Sequence, residues 1–317
     1  MKKLNFIIKC GLALLLLSFY SCESWLNVTP SDRLSEEMLF NDREGFVKAL
    51  NGVYIELNTN ELYGRNLTAG ALDVMGQYYS VASSSHAFYN YGGLVYTGND
   101  EKALFDNMWQ KCYAVIACCN TIIEKCDENK AGLSPVWKGA IKGEALALRA
   151  MLHFDMLRLF GPLTSELDKE SIPYQTNSDQ TVTPLLSGSE VVGLILDDLK
   201  NAVGLLKDTD PYFVEEEFSD TDLNYRRFRM NYFAAKGLMA RVQLWGGDKE
   251  KAAATAKEVI AEGQAEGAEF FPFVTNSEAT SSNPDRVFYS EVLFGTYHSS
   301  REKLHEDLFA PTLESTS

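Results

Sequence analysis

The alternation of apolar and polar residues is most distinctive in "GEALALRAMLHFDMLRLFGPL", residues 143–163. At 100° per residue, a helix places Glu144 and Arg158 along one side, and Arg149 and His153 on roughly the opposite side. Apolar residues fill nearly everything between these two polar stripes. A helix that is apolar over most of its circumference is buried by neighbours on more than one side. The stretch therefore predicts an inner helix of a stacked helical protein, with its polar residues paired across helix contacts.

Four further stretches have helical periodicity, so the chain is predicted to be mainly α-helical. The predicted helices lie at 41–57, at about 103–127, at 135–160 (which contains the stretch above), at 187–208 and, as two helices, within 229–263. Between the first two, residues 62–100 lose periodicity and are rich in Tyr, Ser, Gly and Asn. We expect a long loop with at most short helices there, and long loops in compact domains are usually functional.

The segment "RMNYFAAKGLMARVQLWGGDKEKAAATAKEVIAEG" looks like a tetratricopeptide-type helix pair. Gly237 and Ala240 allow close helix approach, and a Gly-Gly-Asp turn joins the two helices. The stretch around Arg149 resembles the first helix of such a pair, since Arg149 and Arg241 are both flanked by small and aliphatic residues. The predicted fold class is therefore all-α (mainly), with stacked tetratricopeptide-like helix pairs and long irregular ligand-facing loops.

Composition supports a folded body and limits its partners. The chain has 317 residues, of which 45% are hydrophobic and 12% aromatic, enough for a full core. Its 44 acidic and 29 basic residues give a net charge of −15. This charge repels phosphate backbones and anionic lipid, so we predict no nucleic-acid partner.

The N-terminus has the features of a lipoprotein signal peptide over residues 1–21. Two lysines precede the apolar core "GLALLLLSFY", which is too short for a membrane span. The segment ends at Ser21-Cys22 in the manner of a lipobox, although Phe19 and Ser21 depart from its strictest form. Cys22 is the predicted lipid-attachment site, and acyl chains there would anchor the protein firmly. An ordinary secretory signal with an incidental Cys22 is the alternative.

The other cysteines are predicted to be free thiols. Cys112, Cys119 and Cys126 recur every seven residues, so they share one helix face. Neighbours along that face are separated by about 10.5 Å, beyond the roughly 7 Å limit for a disulfide. Cys118 points elsewhere, and no CxxC pair suggests zinc. Free cysteine behaves as a small hydrophobic residue, which favours burial of these thiols.

The most site-like stretch is "MGQYYSVASSSHAFYNYGGLVYTGND", residues 75–100. Sugars present flat C–H faces and hydroxyl edges, so a sugar site needs aromatic rings beside amide and hydroxyl groups. The alternative is a loop whose tyrosines pack onto the helices below. The candidate ligand-binding residues are Tyr78, Tyr79, Phe88, Tyr89, Asn90, Tyr91, Tyr96 and Asn99.

Metal and calcium sites have weaker support. His298, Glu302 and His305 have helical spacing for a shared face, but a solvated amphipathic helix explains them equally well. Asp220 and Asp222 begin a calcium-like loop that lacks the later glycine and glutamate, so an exposed acidic turn is the preferred interpretation. We predict no metal and no cofactor.

Catalysis is also not predicted, and we assign no catalytic residue. Arg149 and His153 are better explained as a buried pair that makes hydrogen bonds to other polar groups between the helices. The sequence lacks the G-x-S-x-G and H-E-x-x-H motifs of two common hydrolase types. The chain is therefore predicted not to be an enzyme.

The order of several motifs along the chain resembles that of the SusD/RagB family of outer-membrane lipoproteins. These motifs are the lipobox-like Cys22, "WLNVTPSDRLS", "MWQKCYAVIACCNTII", the GEA–LRA–HFD–LRLFG run, "DDLKNAVGLL" and "SEVLFGT". The resemblance runs from the signal to about residue 296. It implies a non-enzymatic protein, lipid-anchored in the outer membrane and exposed at the cell surface. Such proteins capture an oligosaccharide, or in some branches a peptide, for a TonB-dependent transporter of the SusC/RagA type.

The resemblance also implies a division of the chain. Residues 22–317 are expected to form one helical domain, with 22–210 as its N-terminal portion and 211–317 as the start of the C-terminal portion. Family chains normally continue well beyond "SEVLFGT", so the C-terminal portion is expected to be incomplete. An alternative function is a helical protein-binding scaffold of an uptake complex, with peptide as cargo or with no ligand of its own.

Overall fold

A computed structural model describes residues 36–179, 181–218, 221–265 and 268–309. The α-helices in these ranges are α1 (Glu36–Leu39), α2 (Arg43–Leu57), α3 (Ala71–Met75), α4 (Tyr89–Gly92), α5 (Asn99–Glu128), α6 (Pro135–Phe160), α7 (Gly188–Thr209), α8 (Tyr232–Trp245), α9 (Lys249–Gly263), α10 (Asn276–Ala279) and α11 (Arg301–Leu308). Short 3₁₀-helices lie at Glu215–Phe218, Asp222–Asn224, Arg226–Phe228 and Tyr289–Glu291. The strands are β1 (Glu170–Pro173), β2 (Leu185–Ser187), β3 (Gln264–Ala265) and β4 (Ala268–Glu269), paired antiparallel as β1–β2 and β3–β4.

The long helices stack in chain order. Helix α6 packs between α5 and α7, α7 also packs on α8, and α8 pairs with α9, while α2 lies against α5. The predicted inner helix is therefore in the middle of the stack, with Leu148, Leu152 and Phe154 at most 2% exposed. The prediction of a mainly α-helical fold built from stacked helix pairs is confirmed.

Local signals set the ends of α6 where the sequence predicts them. The Ser134 side chain accepts a hydrogen bond from the Trp137 amide, which satisfies one of the free N–H groups at the helix start. Pro135 follows at the first helical position, where its missing N–H costs nothing. The helix ends at Phe160 and is capped by Gly161, which directly precedes a proline. By contrast, α5 begins at Asn99, four residues earlier than the sequence indicates.

Helices α6 and α7 approach closely at Gly143. A Cβ atom at this position would lie 2.7 Å from Cγ of Leu206 and 3.4 Å from the carbonyl oxygen of Ala202. Glycine is needed there because the backbone of one helix and the side chains of the other share that space. The close contact buries the apolar residues between the two polar stripes of α6.

The polar stripes of α6 are paired across helix contacts, as predicted. On one side, Arg149 donates to both carboxylate oxygens of Asp198 on α7, with Nε–Oδ2 and Nη2–Oδ1 both 2.7 Å. On the other side, Glu144 is fully buried and accepts hydrogen bonds from Arg226 and Arg229. These contacts offset the cost of burying the charges.

A second buried carboxylate, Asp210, fixes the chain that follows α7. Nε and Nη2 of Arg226 donate to Oδ1 and Oδ2 of Asp210 over 2.9 and 2.8 Å, and the amide of Tyr232 donates to Oδ2. Because Arg226 also binds Glu144, one guanidinium joins α6, the end of α7 and the start of α8. The turn at 225–229 is held rigidly by this arrangement.

The thiols lie as the spacing predicts. Cys112, Cys119 and Cys126 are buried along α5, and Cys118 is exposed; these four, the cysteines within the described residues, are all free. The structure thus confirms the prediction of buried thiols on one helix face.

The predicted signal peptide and Cys22 lie outside the described residues. Among the described residues, no helix combines the length with the apolarity that a bilayer crossing requires.

Candidate ligand-binding surface

The loop between α2 and α5 is anchored by a small apolar cluster of its own. Ala71, Val74 and Tyr91 are buried there, and Phe105 of α5 packs against them. The rings of Phe88, Tyr91 and Phe105 meet edge to face, with centroids 5.9 and 6.1 Å apart. Aromatic pairs favour this geometry, so the cluster fastens the loop to the first turns of α5.

The structure divides the predicted ligand-binding residues into two groups. Tyr78, Tyr79 and Tyr89 expose 80%, 49% and 42% of their surface. Asn90 and Asn99 are also exposed. We call these five residues the loop face. The other three predicted rings take part in the small cluster.

Those three rings behave as the alternative interpretation of the loop expects. Tyr91 is only 3% exposed, and Phe88 and Tyr96 are partly buried around it. Burial raises the pKa of the Tyr91 and Tyr96 hydroxyls. These three rings pack beneath the loop face, and the Tyr91 ring, at 3% exposed, has almost no surface left for a ligand.

Asn90 is oriented by α5. Its side-chain amide donates to Oε1 of Glu101 over 2.8 Å, and this hydrogen bond lowers the pKa of the Glu101 carboxyl. The side-chain carbonyl oxygen of Asn90, which belongs to an exposed residue, is left as an acceptor. Asn99 is the first residue of α5.

A cavity of about 180 Å³ lies beside the loop face. Tyr79, His86 and Phe88 line one side of it, and Leu308 and Phe309 line the other. The rings of Tyr79 and Phe309 are 5.9 Å apart. The end of α11 thus borders the surface that the loop presents.

A larger groove of about 470 Å³ lies along α2. We call it the α2 groove. It is lined by Asn51, Tyr54, Ile55, Asn58, Tyr225, Phe228, Arg229 and Tyr297. Sequence analysis did not predict this groove, because its aromatic residues come from three segments that are distant along the chain.

Two hydrogen bonds place Tyr297 in the α2 groove. The amide of Gly295 donates to the carbonyl of Arg227 over 2.9 Å, and Nε2 of His298 lies 2.9 Å from the carbonyl oxygen of Gly64. The segment 295–298, which we call the strap, is therefore fastened on both sides of Tyr297. Its ring meets Phe228 edge to face, with centroids 5.7 Å apart.

The floor of the α2 groove is fixed by the buried network around Glu144. The Tyr54 hydroxyl donates to Oε2 of Glu144 and accepts from the Met230 amide, both over 2.8 Å. Burial, together with the neighbouring Glu144 charge, raises the pKa of Tyr54 well above its usual value. Arg229 lies over the Tyr54 ring, 4.6 Å from its centroid.

Arg149 and His153 take no part in either surface. Arg149 is 6% exposed and His153 is fully buried. Burial lowers the pKa of His153 to about 3, so the imidazole is neutral. Its Nε2 accepts a hydrogen bond from the Gln175 amide, and Nδ1 lies 3.0 Å from the carbonyl oxygen of Arg149. The prediction of a buried polar pair is confirmed.

The two weaker metal hypotheses gain no support. Among the residues that the structure describes, no group of three or more His, Cys, Asp and Glu side chains is arranged to hold a metal ion. Asp220, from the calcium-like turn, lies outside the described residues. His298 of the other candidate set is used by the strap.

Residues 24–244 match the model of a family described as "Starch-binding associating with outer membrane", under the heading SusD-like. The match covers well over half of the chain. The chain belongs to the SusD-like family. This confirms the resemblance found in the sequence. The match runs across residue 210, and the division of the domain there stays a prediction.

Named relatives agree with this assignment. The SusD-like chain is 26% identical over 265 residues to "SusD-like protein P2" of Formosa agariphila, covering 81% of this chain and 46% of that protein. It is 30% identical over 146 residues to a "SusD-like protein" of Bacteroides ovatus, covering 45% of this chain and 23% of that protein. The SusD-like chain thus spans about half the length, or less, of these curated relatives.

Solved structures share the fold. A SusD superfamily protein from Bacteroides fragilis gives a TM-score of 0.62 at 17% identity, covering 83% of this chain and 57% of that one. A SusD superfamily protein from Bacteroides thetaiotaomicron gives a TM-score of 0.59 at 21% identity, covering 75% of this chain and 49% of that one.

Membership of a family described as starch-binding confirms the prediction that the SusD-like chain belongs to a class of binding proteins rather than to a class of enzymes.

Proposed function

We propose that the protein is a glycan-binding lipoprotein of the outer membrane that captures an oligosaccharide at the cell surface. It hands this ligand to a TonB-dependent transporter of the SusC type for import. The observation that carries the proposal is the family match over residues 24–244, whose description combines starch binding with the outer membrane.

The loop face is the proposed ligand surface. The Tyr78 and Tyr89 rings offer flat apolar faces to the C–H face of a sugar. Asn90 and Asn99 stand beside them with amide groups for sugar hydroxyls. The buried cluster around Tyr91 keeps the loop in one conformation, which lowers the entropy lost on binding. This arrangement of rigid rings with a few polar groups is typical of sugar-binding surfaces.

Titration calorimetry tests the ligand. The purified full-length chain, held in detergent, is titrated with maltoheptaose and with cello-, xylo- and manno-oligosaccharides of six units. We expect one of these to bind. The double variant Tyr78→Ala with Tyr89→Ala should weaken binding about tenfold, since stacking on each ring contributes about 0.7 kcal/mol. Phe273→Ala is the control, because Phe273 is an aromatic residue outside the loop whose exposure, 63%, lies between those of Tyr89 and Tyr78. If the double tyrosine variant and Phe273→Ala bind the oligosaccharide with equal affinity, the loop face is not the ligand surface.

Lipid attachment at Cys22 is tested separately. Cells that express the chain are grown with radiolabelled palmitate, and the label is expected on the wild type and not on Cys22→Ser. Label on both proteins would contradict attachment at this residue. Extracellular protease then reports whether the anchored protein faces outward.

The competing function is a helical scaffold that binds only protein. Its support is the pair of stacked helix hairpins, α6–α7 and α8–α9, which is a common protein-binding architecture. The scaffold would be favoured if none of the oligosaccharides binds and an outer-membrane transporter co-purifies with the protein. Binding of peptides in the same calorimeter would instead make peptide the cargo.

A further inference from the structure

We infer that the α2 groove is a second oligosaccharide-binding subsite, separate from the loop face, in which Tyr225 and Tyr297 are the stacking platforms. This inference rests on the proposed function and adds a location that the loop does not supply. The groove combines exposed rings, amide side chains and a guanidinium within one concavity of about 470 Å³.

The rings at the rim of the groove are free to meet a ligand. Tyr225 is 66% exposed and Tyr297 is 58% exposed. Within the described part of the chain, neither phenolic hydroxyl has a hydrogen-bond partner, in contrast to Tyr54 on the floor, whose hydroxyl is used twice. The Tyr297 ring also contacts Phe228 and lies 5.9 Å from the Arg301 guanidinium. Exposed tyrosines with unused hydroxyls are suited to the mixed apolar and polar surface of a sugar.

Two polar atoms in groove-lining residues are buried and unsatisfied among the described residues. Arg229 uses Nε for Glu144 and Nη1 for Asn51, while its Nη2 donates to nothing. Asn58 donates Nδ2 to the carbonyl of Tyr54, while its Oδ1 accepts nothing. Buried polar groups in folded proteins are almost always paired, so an unpaired donor and an unpaired acceptor in one groove call for a partner.

A sugar hydroxyl meets both requirements, because one hydroxyl donates and accepts. A carboxylate would satisfy only the arginine and would leave the Asn58 oxygen without a donor. An aliphatic side chain would satisfy neither. These two atoms therefore favour a ligand whose groups both donate and accept hydrogen bonds, as sugar hydroxyls do, over an acidic or a purely apolar one.

The groove is also rigid before any ligand arrives. The Glu144 network fixes Tyr54, Arg229 and the turn at 225–229, and the strap holds Tyr297 from both sides. A preformed site loses little conformational entropy on binding. The Tyr297 ring is positioned in this way as a platform for a sugar unit, and Tyr225 lies on the same groove.

The test uses maltoheptaose and the same three six-unit oligosaccharides on the full-length chain in detergent. Tyr225→Ala with Tyr297→Ala removes both platforms, and Ile55→Arg blocks the groove from an exposed position on α2, where Ile55 is 69% exposed. We expect each variant to weaken the bound oligosaccharide about tenfold, with unchanged circular dichroism and melting temperature. Phe273→Ala is the control and is expected to bind as the wild type does.

The outcomes separate this inference from the proposed function. Loss of affinity in the loop variants alone, with groove variants equal to Phe273→Ala, would overturn the groove and leave the proposed function standing. Loss in the groove variants alone would support the groove and move the ligand away from the loop face. A wild-type chain that binds none of the four oligosaccharides would overturn both, and a groove filled by a protein segment would give that result.

Discussion

Arg149 and Asp198 face each other across the contact of α6 with α7 and share two hydrogen bonds of 2.7 Å. Asn120 accepts from the same guanidinium over 2.9 Å, and Tyr174 donates its hydroxyl to the same carboxylate. One ion pair thus joins α5, α6, α7 and the segment after β1.

Removal of one partner of this pair is expected to destabilise the fold strongly. Arg149→Met leaves the Asp198 carboxylate buried without its cation, which costs about 3–5 kcal/mol. The double variant Arg149→Met with Asp198→Leu should recover part of that loss, because no charge is then left unpaired. Urea unfolding followed by circular dichroism measures the difference. A surface pair on α11, Lys303 with Asp307, is the control, and Lys303→Met should cost far less. Equal losses at the two sites would contradict the assigned role.

His153 predicts a pH dependence of stability in a narrow window. Its pKa falls from 6.5 in the unfolded chain to about 3 in the folded protein, because burial disfavours the charged ring. Between these values the unfolded state binds one proton more, so stability decreases as the pH falls from 6.5. The expected slope is about 1.4 kcal/mol per pH unit, or about 2 kcal/mol between pH 6.5 and 5. Denaturant unfolding at several pH values measures it. The His153→Gln variant should have a lower free energy of unfolding at pH 6.5 and lack this slope. An identical slope in the wild type and the variant would rule out His153 as the source.

Glu144 is expected to be indispensable as a carboxylate. Burial by itself raises its pKa, but the charges of Arg229 and Arg226, with hydrogen bonds from Arg226 and Tyr54, outweigh burial and lower it. Glu144→Gln leaves two buried guanidiniums with less compensation, and we expect a loss of about 3–5 kcal/mol by thermal or urea unfolding. The contribution of the carboxylate is present above about pH 4.5 and is lost below it, since the folded pKa is the lower one. Glu128→Gln, at an exposed carboxylate on α5, serves as the reference, and a similar effect there would be evidence against the network.

The close approach of α6 and α7 is testable with alanine. Gly143→Ala puts a Cβ atom 2.7 Å from Leu206, so the helices must separate, at a cost of about 1–3 kcal/mol. Gly204 on α7 is the matched control, because a Cβ there meets nothing within 4 Å. Gly204→Ala should stabilise the protein by about 1 kcal/mol through helix propensity. Melting temperatures of the two variants are expected to move in opposite directions, and a fall in both would argue against the contact.

The sequence predicts those features whose causes are local. The start of α6 follows from Ser134 and Pro135, the buried thiols from a seven-residue spacing, and the pairing of Arg149 from its isolation on an apolar helix. Each of these signals lies within a few turns of one helix. Its partner, Asp198, lies in another helix, and the sequence does not name it.

The proposed ligand surfaces are only partly predictable for the same reason. Tyr89 and Tyr91 look alike in the sequence, yet one is 42% exposed and the other 3%, because Phe105 of α5 packs on the second. In a loop without periodicity, the sequence does not indicate which side chains are buried. The α2 groove depends on where the strap crosses α2, and only the tertiary structure brings those residues together.

The contact of His298 with Gly64 spans 234 positions of the chain. Contacts so distant in sequence form late, because a long stretch of polypeptide must be ordered before its ends can meet. The polypeptide is synthesised from its N-terminus, so Asn51 and Tyr54 emerge long before Tyr297. Until the strap is in place, the side of α2 that lines the groove lacks its contact with the Tyr297 segment. The α2 groove is therefore expected to form late in folding, after α2 itself, so a partly folded molecule has the helix without the groove.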